Sequence, residues 1–190
     1  MQSNSLRIID HDIDYDFDSD ETLTGCHSSQ VHTIMPSDEH IILPPVVLDT
    51  NIFVGAGFNR RSASAAIVEA VREGRLRMRW TPATRRETTF IVRKIPPLKR
   101  FPLDACFLEE NAFGGEVDPS AFGSIPDPDD RKFAALARAA GAVLVSSDEH
   151  LLAAGRRGEI TVLTPGAFRR RFSGTLSPGP QTDSGNSPAV

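Results

Sequence analysis

The run VVLDTNIFV at residues 46–54 constrains the fold more than any other part of the chain, being apolar or β-branched except at Asp49 and Asn51. A stretch too apolar to alternate reads as a strand buried on both faces. Such a strand needs a covering layer on each side of its sheet, and helical crossovers supply one. The remaining sequence provides those crossovers. Residues 62–73 set Ala65, Ile67, Val68 and Val71 on one helical face and stop at Gly74. Leu76, Met78 and Trp80 alternate with Arg75, Arg77 and Arg79, the period of a strand with one basic face. Residues 82–95 read as a helix that opens on Pro82 and breaks at Pro96 and Pro97. A short helix over 102–110 and a loop at Gly114 and Gly115 follow. Residues 128–140 space Phe133, Leu136, Ala137 and Ala140 as a helix does, ending at Gly141. A strand over 142–145, a short helix over 150–154, a strand over 160–163 and a helix over 166–172 complete the series. The expected fold class is α/β, a three-layer α/β/α sandwich with a central, mainly parallel sheet.

A chain of 190 residues with 39% hydrophobic content suits one such domain with some length left outside the core. The domain is expected over 46–172, after an acidic, flexible arm over 1–45 and before a Ser-, Pro- and Gly-rich tail over 173–190. The arm holds nine acids against Arg7, a net of −8, whereas 46–172 holds 20 Lys and Arg against 15 Asp and Glu, a net of +5. With Asp183 in the tail, the total is −4. A basic domain that nonetheless gathers acids points to a polyanionic partner with a cation between them. In the arm, DHDIDYDFDSDE superficially resembles a calcium loop, but Tyr15 stands where the sharp turn needs glycine. Cys26 and Cys106 make neither a zinc-type pair nor a disulfide framework. With neither a signal-peptide pattern nor a long apolar run, a soluble, cytoplasmic protein is expected.

Four acids occupy places where chemistry concentrates. Ligand sites of open parallel sheets form beyond the carboxyl ends of the strands. Asp49 lies within an apolar strand, where a carboxylate costs several kcal/mol of desolvation unless it is paired or bound to a cation. Asp148 follows the strand AVLV and two serines at a strand-to-helix turn, where it could equally serve as a helix cap. Glu87 and Asp130 lie near helix starts, where an acid also complements the helix dipole. Taken together, the four could converge at one edge of the sheet. Carboxylates without imidazole or thiolate partners suit a hard cation, Mg²⁺ or Mn²⁺. Such an ion serves phosphodiester hydrolysis by activating water and stabilising charge on phosphate and leaving oxygens.

VLDTNIFV at 47–54, DPDDRKF at 127–133 and AAGAVLVSSDEHLL at 139–152 resemble, in that order, the PIN-domain nucleases. The likeness runs from about Val46 to Phe172. It implies an endoribonuclease using Mg²⁺ or Mn²⁺, with Asp49, Asp130 and Asp148 matching the first, third and fourth family acids. Glu87 takes the place of the second, helix-borne acid, though no sharp motif surrounds it. Asn51 matches the residue that steadies the first acid, Ser146 and Ser147 stand where the family carries a hydroxyl, and Asp127 and Asp129 could substitute for, or assist, Asp130. The partners so implied are RNA and, as in VapC-type systems, an antitoxin protein restraining a toxin; a second copy of the chain is a further candidate partner. The long acidic arm is not a usual family feature. Candidate RNA-binding residues are Arg75, Arg77 and Arg79, Arg85 and Arg86 beside Glu87, and Arg131 and Lys132 beside Asp130.

Other readings fit less well. A haloacid dehalogenase motif requires an acid where this chain has Asn51. A dinucleotide or P-loop site would need glycines that Gly55-Ala56-Gly57 does not provide. A non-catalytic RNA-binding or scaffold protein that keeps the fold is the alternative left open, since fold does not guarantee activity.

Overall fold

Three short parallel strands carry the domain: β1 (Val46–Leu48), β2 (Val143–Val145) and β3 (Val162–Leu163), hydrogen-bonded in that order. Val46, Val47 and Leu48 face Val143, Leu144 and Val145, and Leu144 and Val145 face Val162 and Leu163. The structure is a computed structural model and describes residues 43–173. The expected acidic arm lies almost wholly outside the described residues, as does the C-terminal tail beyond Ser173. Six α-helices surround the sheet among the described residues: α1 (Thr50–Phe58), α2 (Ala63–Arg72), α3 (Pro82–Lys94), α4 (Pro128–Ala139), α5 (Glu149–Arg156) and α6 (Pro165–Arg171).

Strand geometry sends successive side chains to opposite faces, and here it separates two cores. Val46, Leu48, Val143 and Val145 pack with Ile52 and Phe53 of α1, Ile67 and Val71 of α2, Val92 of α3 and Phe168 of α6. Val47 and Leu144 pack on the other side with Phe133 and Leu136 of α4 and with Leu151 and Ala154 of α5. This is the three-layer α/β/α arrangement that doubly covered parallel strands require. Each Leu, Ile or Phe so enclosed contributes about 1.5–3 kcal/mol against leaving it in water.

The first expected strand is corrected. It ends after Leu48, and residues 50–58 are helical. Asp49 keeps an extended backbone (φ −64°, ψ 150°) while its carbonyl accepts from the Ile52 amide at 3.0 Å, which turns the chain into α1. The β-branched and aromatic residues after it mimic a strand, but burial of Ile52, Phe53 and Ala56 in the core overrides that propensity. Residues 76–80 keep their period of two, with Leu76, Met78 and Trp80 buried and Arg77 exposed. They form only isolated parallel bridges, Met78 to Val46 and Trp80 to Ala112. The expected short helix over 102–110 is instead two 3-10 turns, Leu103–Cys106 and Glu109–Asn111. Between them Phe107 leaves helical geometry and turns inward, stacking on Phe53 at 6.0 Å and meeting Trp80 edge-on at 5.7 Å.

Helix starts follow the local chemistry of the chain. Ser62 accepts from the Ala65 amide at 3.1 Å, and Thr81 and Thr84 cap α3 reciprocally behind Pro82. Gly74 and Gly141 close α2 and α4 with φ of 72° and 58°, a region costly for residues with a Cβ. Cys106 is a buried free thiol pushed up to about 12 by desolvation, which leaves it inert at neutral pH. Among the described residues no helix is long and apolar enough to cross a membrane.

Candidate active site

Asp49 stands at the carboxyl end of β1 and at the N-cap of α1, with only 3% of its surface exposed. Its backbone amide donates to the Val145 carbonyl at 3.1 Å, which fixes it against the end of β2. Its Oδ2 accepts from the Ser146 hydroxyl at 2.7 Å and, at a long 3.5 Å, from the Asn51 side-chain amide. Desolvation raises the Asp49 pKa most, and the negative charge of Asp148 adds to it. The Ser146 hydroxyl and the amides of Asn51 and Thr50 pull in the opposite direction. Ser146 is itself completely buried, and its oxygen accepts from the Asp148 amide at 2.9 Å. One hydroxyl therefore couples both strand-end acids.

Asp148 caps α5, its Oδ1 accepting from the amides of His150 at 2.8 Å and Leu151 at 3.1 Å. The capping role weighed from the sequence is thus present, and the carboxylate remains close enough to Asp49 and Asp130 to raise the pKa of both. Asp130 occupies the first turn of α4. Its carboxyl is pushed up to about 6, first by desolvation, then by the charges of Asp148, Asp49, Asp127 and Glu87. Asp127 caps α4 by accepting from the Asp129 amide at 2.8 Å, and Asp129 accepts from Lys132 at 2.9 Å. Ser147 is exposed on the same turn as Asp148.

Glu87 comes from α3 and is placed by the turn beside it. The buried hydroxyls of Thr88 and Thr50 hydrogen-bond at 3.0 Å, which ties α3 to the start of α1. Burial raises the Glu87 pKa, while Lys132 lowers it and Asp129 and Asp49 raise it further. Lys132 Nζ contacts Glu87 Oε2, which has no other hydrogen-bond partner among the described residues. The Asp49 carboxylate and the Asp148 backbone thus meet on Ser146, Asp130 is raised by the charges of both acids, and Glu87 feels the charges of Asp129 and Asp49 while paired to a lysine. Among the described residues no three His, Cys, Asp or Glu side chains are close enough to one another to grip a metal ion as they stand.

The basic residues singled out in the sequence differ in what already engages them. Arg131 donates to the carbonyls of Ile125 at 2.7 Å and Pro126 at 3.3 Å, clamping the loop before α4. Arg85 pairs with Glu109 at 3.2 Å and Asp104 at 3.6 Å and lies over the rings of Trp80 and Phe107. Arg75 donates to Glu73 at 2.7 Å, and Arg79 lies over Phe113 at 5.5 Å. Arg77 and Arg86 are exposed, and Arg86 lines a shallow depression with Glu87, Phe90 and Lys132. The link between Lys132 and Glu87, and the threonine pair behind it, escaped the sequence reading. Both join residues far apart in the chain, and only the short-range spacing of Asp129 and Lys132 left any trace.

No curated protein matches the chain. A family model for the PIN domain matches residues 45–150, more than half of the 190 residues and all four acids. That match, on a parallel sheet whose strand-end acids share one buried hydroxyl, makes the chain a member of the PIN-domain family, whose members are generally nucleases.

Proposed function

We propose that the protein is a metal-dependent endoribonuclease, hydrolysing RNA phosphodiester bonds at the edge formed by Asp49, Asp130, Asp148 and Glu87. The observation that carries this reading is the electrostatic state of Asp130, whose carboxyl is held at about 6 by burial and by neighbouring acids. Acids gathered so that they oppose one another's ionisation are costly to fold, and a divalent cation offsets that cost. The donors are all oxygen, which suits Mg²⁺ or Mn²⁺. Mg²⁺ keeps several waters and takes only one or two carboxylates directly, so acids spaced more widely than a closed cage fit it.

Bound Mg²⁺ or Mn²⁺ supplies Lewis-acid activation of water and neutralises charge on the phosphate. The protein's own residues prepare the edge for it. Ser146 orients the Asp49 carboxylate and holds the Asp148 backbone beside it. Asp148 spends Oδ1 on the α5 cap, so Oδ2 is the oxygen it has to offer. Asp130, raised to about 6, is an acid that a bound cation would keep ionised below neutral pH. Lys132 holds Glu87 at the rim and balances its charge.

Asp49→Asn tests the proposal, because it removes one charge at nearly constant volume. The expected result is loss of Mn²⁺-dependent cleavage of a mixed RNA pool, with unchanged circular dichroism. Cutting by Asp49→Asn at the wild-type rate would remove the edge from the chemistry. If the wild-type chain binds RNA without cutting it, and Mn²⁺ leaves its melting temperature unchanged, the scaffold reading replaces this one.

A further inference from the structure

A second feature lies apart from these acids. A cavity of about 750 Å³ opens between the C-terminal part of α1, α2, residues 97–102 and Arg169 of α6. None of the four acids lines it. Along α1, Gly57 at its wall is eight residues from Asp49, about 12 Å at 1.5 Å per residue.

The wall carries six arginines and two glutamates. The glutamates are already engaged, Glu69 with Arg72 at 2.6 Å and Glu73 with Arg75 at 2.7 Å. The excess of four positive charges therefore falls to Arg60, Arg61, Arg100 and Arg169, all exposed, none with its side chain in an ion pair among the described residues. The N-terminus of α2 opens on the same space, with Ser62 in the wall, and adds the positive end of a ten-residue helix. Guanidinium groups present planar donors that match phosphate oxygens in pairs. By contrast, Arg131, Lys132 and Arg85 near the acid edge are committed to carbonyls, acids or rings.

We propose that this cavity is a second RNA-binding site, taking the phosphodiester backbone of the strand beyond the segment that lies at the acids. The inference rests on the RNA-cleaving reading above and names the surface that would hold a long substrate. A long strand gains affinity chiefly through phosphate contacts, and this cavity gathers four arginines without ion-pair partners among the described residues, where the acid edge offers Arg86.

The test uses the full chain carrying Asp49→Asn and a long single-stranded RNA. Adding Arg100→Ala and Arg169→Ala should weaken binding about ten-fold or more. It should also flatten the slope of log affinity against log salt by about 1.4, two phosphates at about 0.7 each. Charge reversal to Glu at both positions should deepen the loss without changing the thermal melt. Unchanged affinity and slope in both variants would overturn the site, as would displacement of the RNA by polyglutamate at equal charge and salt. Cleavage by the otherwise wild-type chain is measured separately. Binding that depends on the arginines without any cleavage would sink the nuclease reading and leave this site standing; cleavage with arginine-independent binding would do the reverse.

Discussion

Replacing Ser146 by Ala removes a single oxygen, and the structure places two hydrogen bonds on it. The hydroxyl donates to Asp49 Oδ2 at 2.7 Å and accepts from the Asp148 amide at 2.9 Å, at a position with no exposed surface. A hydrogen bond to a charged group contributes about 1.5–3 kcal/mol, and a neutral amide left without its acceptor adds about 1 kcal/mol. The expected loss is about 2.5–4 kcal/mol, or roughly 5–15 °C in melting temperature for a domain of this size. The sign with pH is specific. Desolvation already raises Asp49 above its ordinary value, so the folded state holds that proton more tightly than the unfolded chain. Stability from this group therefore falls as pH rises from the unfolded pKa through the folded one. Ser146 opposes the shift, and without it the folded pKa climbs further. The destabilisation by Ser146→Ala should then be larger at about pH 8 than at about pH 5, because raising the pH through the titration of Asp49 increases the charged fraction that needs the donor. Chelator-treated protein followed by thermal melting at both pH values measures it. A loss below about 0.5 kcal/mol, the range of a neutral surface change, would refute the reasoning, and so would a loss equal at the two pH values.

Two further outcomes follow from the geometry. Lys132→Met should destabilise by about 1–2 kcal/mol because it strands the partly buried Glu87 carboxylate, and Glu87→Gln in the same chain should restore most of that; additive single effects in urea melts would argue against the pair. Gly155→Ala would set a Cβ 2.9 Å from Val162 Cβ, so a loss of about 1–3 kcal/mol in urea melts is expected despite the better helix propensity of alanine; Val162→Ala removes the Cγ2 contact at 3.0 Å but keeps the Cβ, and should recover only part of that loss.

The apolar run before Asp49, the periodic helices and the serine-flanked Asp148 announce an α/β sandwich and the acids at its strand ends, because burial patterns and cap chemistry are local properties of the chain. Locality is also why 46–54 misled. Thr50, Ile52, Phe53 and Val54 satisfy strand and buried-helix patterns alike, and only the packing of Ile52 and Phe53 beneath the sheet chose the helix. The four acids were nameable one by one, but their relations were not. That Ser146 joins Asp49 to Asp148, that Lys132 answers Glu87, and that Asp130 is pushed to about 6 by burial and by carboxylates from other elements are decided by relations between residues 18 to 97 apart in the chain. The arginine cavity has the same origin. Arg60, Arg100 and Arg169 share no motif, and only the folding of α1, α2 and α6 around one space sets their charges side by side.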